Sequence, residues 1–267
     1  MRVGIIGCGA IGQHLCELLP TLLPEAGVAL VVARAQAHER LRARLGPAVR
    51  LDTSAAAFAD ARVDLVIECA GHAGLREHGA QVLEAGIDLL VLSVGALADA
   101  ATESALRAAA EASGARIHIP AGAAGGLDVL SSARSAGLDR VLYHCAKAPL
   151  AWKGTPAESM LDLAHVAVPT VFFSGTVREA ARLFPRNANF ASAVALAGIG
   201  FDRTLVNLCA DPGTTRNTHS VEASGPFGEI SVRVSGAVLA ANPKTSLLTP
   251  HSVVSALANL CRPLSPA

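Results

Sequence analysis

The segment RVGIIGCGAIG, residues 2–12, decides the fold of the N-terminal half of the chain. Residues 2–6 form a short apolar run with the length of a buried strand, and a glycine-rich turn at 7–12 follows at once. Residues 13–23 then carry leucines at helical spacing. A strand, a G-x-G-x-x-G turn and a helix in this order are typical of a βαβ unit that binds a dinucleotide.

Each glycine of the turn has a separate physical role in such a unit. Gly7 permits the tight turn, Gly9 lets the backbone approach a pyrophosphate, and Gly12 lets the helix pack closely on the strand. Ala10 and Ile11 lead into the helix, whose free N–H groups and positive dipole end attract an anion. We therefore predict that these five residues bind the pyrophosphate of a dinucleotide.

The end of the second predicted strand bears on the choice of cofactor. Sites for NAD usually place an Asp or Glu there, which accepts a hydrogen bond from the ribose 2′-hydroxyl, whereas sites for NADP often have an Arg. Residues 33–36 read Ala-Arg-Ala-Gln and contain no carboxylate. Arg34 can pair with a 2′-phosphate, and the alternative is a solvated surface residue. We expect the protein to use both NAD and NADP.

Strands and helices alternate through residues 1–120, which predicts a parallel sheet covered on both faces, the Rossmann arrangement. Strands are expected at 2–6, 28–33, 63–68, 87–92 and 116–119, and helices at 13–23, 39–45, 73–85 and 101–113.

The pattern changes at residue 121, where a glycine-rich crossing begins. Residues 121–248 predict an α+β domain with a mainly antiparallel sheet, in which a substrate site can be built. Strands are expected at 140–146, 170–174, 204–209, 218–223 and 229–235, with a hairpin turn at 225–228, and helices at 127–136, 175–183 and 187–197. Residues 249–267 hold a last helix that can fold back onto the first domain.

Composition excludes several classes of protein. Half of the residues are hydrophobic and only 16% are charged, which excludes a disordered chain. Lys+Arg and Asp+Glu balance at 22 each, so no global basic field attracts nucleic acid or an anionic membrane. No apolar run approaches the ~20 residues that span a bilayer. The six cysteines form no C-x-x-C pair, so no metal site is predicted. We expect a cytoplasmic protein.

Several motifs extend beyond the glycine turn and run in order along nearly the whole chain. They are GCGAIG (7–12), ECAGH (68–72), SVGAL (93–97), AWKGTPAE (151–158), REAARLFP (178–185), NAN (187–189), GFDRT (200–204) and ANPKTS (241–246). In these motifs the chain resembles the L-aspartate dehydrogenases.

The resemblance implies oxidation of L-aspartate with NAD or NADP. The first product would be iminosuccinate, which hydrolyses to oxaloacetate and ammonia and can also feed NAD biosynthesis. The family's catalytic histidine matches His219, and its contacts on the nicotinamide side match Ala123 and Asn189. The family's C-terminal domain forms the subunit contact, so a homodimer is expected. Residues 143–149 are less basic than the family pattern before the Ala-Trp pair.

This reaction requires a base and groups that bind the substrate carboxylates. A base must take a proton from the substrate ammonium, and histidine suits this role because it titrates near neutral pH. The two carboxylates of the substrate need cations or backbone donors. Three lysines, Lys147, Lys153 and Lys244, are available in the second half. We predict that Lys244 binds substrate together with Thr245 and Ser246, whose hydroxyls precede a helix.

Two other functions fit the same fold, because fold does not determine function. One is a different two-domain reductase, such as an enzyme resembling dihydrodipicolinate reductase or one that oxidises hydroxy acids. The other is a dinucleotide sensor without turnover.

Overall fold

The computed structural model of the chain describes residues 1–123, 125–239 and 242–264, and the side chains of residues 243 and 244 lie outside the described part. The chain divides into two compact units, each with its own sheet. One unit contains Met1–Pro120 together with Pro250–Ala267, and the other contains Ala121–Thr249.

The first unit is built on a six-stranded sheet in which every pairing is parallel. The strand order β3-β2-β1-β4-β5-β6 is that of a doubly wound dinucleotide-binding domain. Its strands are β1 (Arg2–Ile6), β2 (Gly27–Val32), β3 (Arg50–Asp52), β4 (Leu65–Glu68), β5 (Asp88–Val91) and β6 (Ile117–His118), and the helices between them are α1 (Ala10–Leu22), α2 (His38–Leu45), α3 (Ala57–Asp60), α4 (His72–Glu84) and α5 (Ala100–Ser113).

The second unit is built on a mixed five-stranded sheet of order β11-β10-β7-β9-β8. Three of its four pairings are antiparallel, and β7 and β9 are parallel. Its larger elements are helix α6 (Leu127–Ala136), strand β7 (Arg140–Lys147), helix α7 (Ala157–Met160), strand β8 (Thr170–Thr176), helices α8 (Val177–Leu183) and α9 (Asn189–Ala197), and strands β9 (Leu205–Ala210), β10 (Asn217–Gly225) and β11 (Gly228–Gly236). A two-stranded sheet of β12 (Val238–Leu239) and β13 (Asn242–Ser246) follows.

The last helix, α10 (Leu248–Cys261), belongs for most of its length to the first unit. Val253 and Leu257 are fully buried, and they share one apolar cluster with Leu15 and Leu19 of α1. The first unit is therefore formed from both ends of the chain.

The predicted fold class is confirmed: a parallel dinucleotide-binding domain is followed by a domain with a mainly antiparallel sheet. The predicted hairpin at 225–228 joins β10 to β11. The sequence missed β3, α3, α7, β12 and β13, which have two to five residues each and show no clear periodicity. Within the described residues, no helix combines the length and apolar character needed to cross a membrane.

Candidate active site

The glycine turn between β1 and α1 has three different local environments. Gly7 has a φ of +79°, and a Cβ there would lie 2.5 Å from the Ala70 Cα. A Cβ on Gly12 would lie 2.7 Å from the Gly7 carbonyl oxygen, because the helix packs directly against the turn. A Cβ on Gly9 would meet nothing within 4 Å. The turn is closed beneath Gly7 and Gly12 and open above Gly9, the side from which a ligand can approach the backbone.

The start of α1 fits an anionic group. Gly9 is the N-cap residue and has no side chain, so the cap makes no side-chain hydrogen bond to the first-turn N–H groups, including those of Ala10 and Ile11. The first turn of α1 also contains no acidic residue that would repel an anion. Backbone N–H groups at the positive end of a 13-residue helix can therefore receive a pyrophosphate.

A buried carboxylate shapes the backbone beside the turn. Glu68, at the end of β4, has no exposed surface. Its oxygens accept hydrogen bonds from the N–H groups of Ala70 (2.8 Å), Gly71 (2.9 Å) and Ser93 (3.0 Å), and from the Ser93 hydroxyl (2.8 Å). Burial raises the pKa of Glu68, and these hydrogen bonds oppose the rise. Glu68 thus joins the loops that follow β4 and β5.

The end of β2 carries an exposed cation. Arg34 lies two residues beyond the strand and precedes a short 3₁₀ helix at Ala35–Ala37. None of the ion pairs found among the described residues includes Arg34. An exposed guanidinium at this position suits a ribose phosphate.

His219 lies on β10 in the second unit and is only 3% exposed. A hydrogen bond of 2.6 Å joins its Nδ1 to the hydroxyl of Tyr143 on β7, which is fully buried. Its Nε2 is buried and has no hydrogen-bond partner among the described residues. One ring nitrogen is therefore fixed by a phenol, and the other is available to a ligand.

The surroundings of His219 keep the imidazole neutral. Burial, with a smaller contribution from the charge of Lys147, lowers the pKa of His219 to about 3. A neutral imidazole can accept a proton at the nitrogen that carries no hydrogen. When Nδ1–H donates to the Tyr143 oxygen, that nitrogen is Nε2.

The predicted nicotinamide-side residues lie in segments that meet next to His219. The Phe190 ring packs edge-on against the imidazole, with 4.9 Å between the centroids. Gly122 has a φ of +63°, and a Cβ there would overlap the Phe190 ring. Ala123 follows Gly122 and is buried, and Asn189 precedes Phe190 as the first residue of α9. Because Ala188 is the N-cap residue, Asn189 is not the helix cap.

A second functional group lies on the same sheet face, and it is a lysine that the sequence analysis named as a candidate but ranked below Lys244. Lys147, the last residue of β7, is only 5% exposed. Its Nζ donates to the Asn187 Oδ1 at 3.1 Å and lies 5.2 Å from the centroid of the Trp152 ring. The predicted strand ended at residue 146, which left Lys147 in a loop, and its burial could not be read from the sequence.

The predicted substrate-binding residues near the C-terminus make local contacts. The Thr245 hydroxyl accepts a hydrogen bond from the Asn242 side-chain amide at 3.0 Å. The hydroxyl of Ser246, which is buried, accepts a hydrogen bond from the Leu248 N–H at 3.3 Å, at the start of α10. The side chain of Lys244 lies outside the described residues.

Comparisons with known proteins give the same two-part division. Residues 128–260 match the family model described as aspartate dehydrogenase, C-terminal, and residues 7–120 match the model described as homoserine dehydrogenase, NAD binding domain.

Relatives match over the full length of the chain. It is 46% identical over 266 residues to an L-aspartate dehydrogenase of Ralstonia pickettii and 45% identical over 266 residues to one of Pseudomonas aeruginosa, with 99% of each chain covered. Among solved structures, the aspartate dehydrogenase of Thermotoga maritima superimposes with a TM-score of 0.77 at 29% identity, over 100% of this chain and 99% of the other.

Proposed function

The chain belongs to the L-aspartate dehydrogenase family, and we propose that it oxidises L-aspartate at a site built around His219. It is an oxidoreductase that acts on L-aspartate and uses NAD or NADP. The observation that carries the proposed site is the buried His219, whose Nδ1 is held by Tyr143 and whose Nε2 has no partner among the described residues.

The cofactor, when bound, accepts the hydride from the substrate Cα. We assign the pyrophosphate to Gly7, Gly9, Ala10, Ile11 and Gly12, because the turn is open above Gly9 and the start of α1 has no side-chain cap.

We assign the adenosine 2′-phosphate of NADP to Arg34, which is exposed beyond β2. Ala123 and Asn189 are assigned to the nicotinamide side, since their segments meet at Phe190 beside the imidazole. Residues 1–120 form the cofactor domain in this proposal, and residues 121–248 form the substrate domain.

The chain's own contribution to the chemistry is proton transfer. The substrate binds as an ammonium, and only the free amine can donate electrons to the departing hydride. His219 Nε2 takes the ammonium proton while Nδ1–H donates to the Tyr143 oxygen, which stabilises the imidazolium that forms. Loss of the hydride leaves iminosuccinate. His219 releases the ammonium proton to solvent, and its neutral Nε2 then takes a proton from the water that adds to the protonated imine. The imidazolium returns this proton to the amine nitrogen, the C–N bond breaks as the new hydroxyl loses its proton and becomes the carbonyl, and oxaloacetate and ammonia leave.

Assembly and location are further parts of the proposal. A homodimer formed through the C-terminal domain is supported by the five-stranded sheet, where the side chains of Val171 and Leu205 are 47% and 42% exposed. A cytoplasmic location is supported by the cysteines, since all six are free thiols. A supply of iminosuccinate to NAD biosynthesis is consistent with the first product.

The test of this function is oxidation of a panel of amino acids, followed by nicotinamide absorbance. L-Aspartate should exceed L-alanine in kcat/KM by on the order of 10⁴-fold, because groups that pair with the second carboxylate stay unpaired with alanine. Comparable values for the two amino acids would contradict the assignment and would favour another two-domain reductase. No turnover with any substrate would favour a sensor.

The role of His219 has its own variant and control. His219→Ala should lower kcat by on the order of 10²- to 10⁴-fold, the usual range for a general base. His165→Ala is the matched control, since His165 is exposed and pairs with Asp162 at 2.8 Å. A folded His219→Ala protein that binds NAD and keeps the turnover of the control would remove His219 from the mechanism.

A further inference from the structure

Among the residues that the structure describes, Lys147 is a buried cation without an anionic partner. Its side chain is 5% exposed, and the described ion pairs of the chain do not include it. Lysines are almost never fully buried unless they are paired, because removing an ammonium from water is costly. The amide oxygen of Asn187 and the face of Trp152 compensate for part of this cost. An ammonium has three N–H donors, and the Asn187 contact uses one of them.

The sheet register places this cation beside the base. Cys145 on β7 lies directly opposite His219 on β10, so Lys147, two residues further along β7, is a diagonal neighbour on the same face. Diagonal neighbours in an antiparallel pair have side chains about 7–8 Å apart. The charge of Lys147 lowers the pKa of His219, as expected for such proximity. A cation and a ring nitrogen that both have unused hydrogen-bonding capacity among the described residues therefore lie on the same sheet face.

We propose that Lys147 binds one carboxylate of L-aspartate and that Asn187 positions its ammonium group for this contact. The inference rests on the proposed function, because it names the residue that recognises the acidic substrate at the same site. A carboxylate satisfies the remaining donors of Lys147 and neutralises its buried charge. The amino group of the same substrate then lies within reach of His219 Nε2.

The other lysines are weaker choices for this role. Lys153 is exposed, and its charge is accessible to water whether or not substrate is present. Lys244, which the sequence analysis favoured, has its side chain outside the described residues. Of the two lysines whose side chains the structure describes, Lys147 is the buried one, so a bound anion stabilises its charge more than that of Lys153.

Binding of a carboxylate at Lys147 also changes the proton affinity of His219. With a pKa of about 3, His219 is a poor acceptor for an ammonium proton. The titratable groups that face the imidazole from β7 are Tyr143, Cys145 and Lys147, and Phe190 faces it from α9. Of these, Lys147 carries the positive charge. A carboxylate that offsets this charge raises the proton affinity of His219 when the substrate is in place.

The first experiment uses Lys147→Met, which keeps the unbranched chain up to the ε position and removes the charged ammonium group. Lys153→Met is the matched control, with the same change in net charge at an exposed site six residues away. Loss of one partner of a buried charge pair should lower kcat/KM for L-aspartate by ~30-fold or more. The acid limb of the kcat/KM profile should move to higher pH in Lys147→Met, because the cation that lowers the pKa of His219 is absent. Both quantities should stay at wild-type values in the control.

The second experiment measures binding without chemistry. Succinate carries both carboxylates and no amino group, and its affinity for the NAD-bound enzyme can be measured by calorimetry. Lys147→Met should weaken succinate binding by at least about 30-fold and leave NAD binding unchanged. Equal succinate affinity in Lys147→Met and Lys153→Met, with unchanged kcat/KM, would overturn the proposal. If the wild-type enzyme does not oxidise L-aspartate at all, the proposed function fails instead.

The third experiment needs no variant at position 147. The chain contains only three lysines, so ¹⁵N-labelled lysine gives three side-chain signals. The signals that disappear in Lys153→Met and in Lys244→Met belong to those two lysines, and the third signal belongs to Lys147. Succinate should shift this signal in the wild-type, NAD-bound enzyme, and in Lys153→Met as well. A signal that succinate leaves unmoved would overturn the proposal even if Lys147→Met fails to fold.

Discussion

Replacing Tyr143 by phenylalanine removes one oxygen from the protein and tests how His219 is held. The Tyr143 hydroxyl and the His219 Nδ1 are 2.6 Å apart, and both side chains are buried. After the substitution the buried Nδ1 has lost the partner that the structure gives it. An unsatisfied buried polar group costs about 1–3 kcal/mol, and for a chain of this size each kcal/mol lowers the Tm by roughly 2–4 °C.

The effect on catalysis follows from the change of charge during the reaction. In the proposed mechanism, the Tyr143–His219 hydrogen bond is neutral in the resting enzyme and becomes charge-assisted when the imidazole takes the substrate proton. A neutral hydrogen bond contributes about 1 kcal/mol and one to a charged group about 1.5–3 kcal/mol. The difference, about 0.5–2 kcal/mol, corresponds to a fall in kcat of roughly 2- to 30-fold in Tyr143→Phe.

Thr204→Val is the control for loss of a buried hydroxyl. Thr204 has no exposed surface, and its hydroxyl makes no hydrogen bond among the described residues. Its replacement should leave kcat unchanged and should not lower the Tm. Thermal unfolding and initial rates with saturating NAD and L-aspartate measure both quantities. A Tyr143→Phe enzyme that matches the control in Tm and kcat would refute the idea that Tyr143 positions His219.

Three further predictions address other parts of the molecule. Arg34→Ala should weaken NADP binding selectively, since only NADP carries the 2′-phosphate, and equal weakening of NAD and NADP in a binding titration would contradict this role. Glu68→Gln should lower the free energy of unfolding by about 1–3 kcal/mol, because both Glu68 oxygens accept hydrogen bonds from backbone N–H groups and an amide has only one accepting oxygen. An unchanged Tm would show that these hydrogen bonds make no net contribution to stability. The pKa of His219 is lowered to about 3 from 6.5, so below pH 6.5 the unfolded chain binds a proton that the folded protein does not. Stability should therefore fall towards pH 3 by up to roughly 1.4 kcal/mol per pH unit from this group, and His219→Phe should remove that part of the acid sensitivity in denaturant titrations.

Local sequence patterns predicted the first domain well, because its elements are determined by short-range signals. The predicted strand at 2–6 is β1, and the helix after the glycine turn is α1, which begins three residues earlier than predicted. The turn between them was predicted from glycines 7, 9 and 12. By contrast, β3 has only three residues, two of them charged, and it forms through pairing with β2.

The candidate site could be predicted only in part, because its residues are brought together by long-range pairing. The catalytic role of His219 was predicted from the family resemblance and not from the spacing of residues around it. Its proximity to Tyr143 and Lys147 depends on the register between β7 and β10, whose paired residues are more than 70 positions apart in sequence. Periodicity cannot specify such a register. The predicted end of β7 at residue 146 was one residue short, and that residue is the buried cation.

The position of α10 has a consequence for the order in which the protein folds. Val253, Val254 and Leu257 complete an apolar cluster with residues of α1 and β1 that are synthesised more than 200 residues earlier. While the ribosome is still making the second domain, that surface of the first domain is exposed to water. The cofactor domain therefore reaches its full stability only after the end of the chain has emerged. A chain stopped before residue 248 would lose stability in the cofactor domain, although every strand of that domain's sheet would be present.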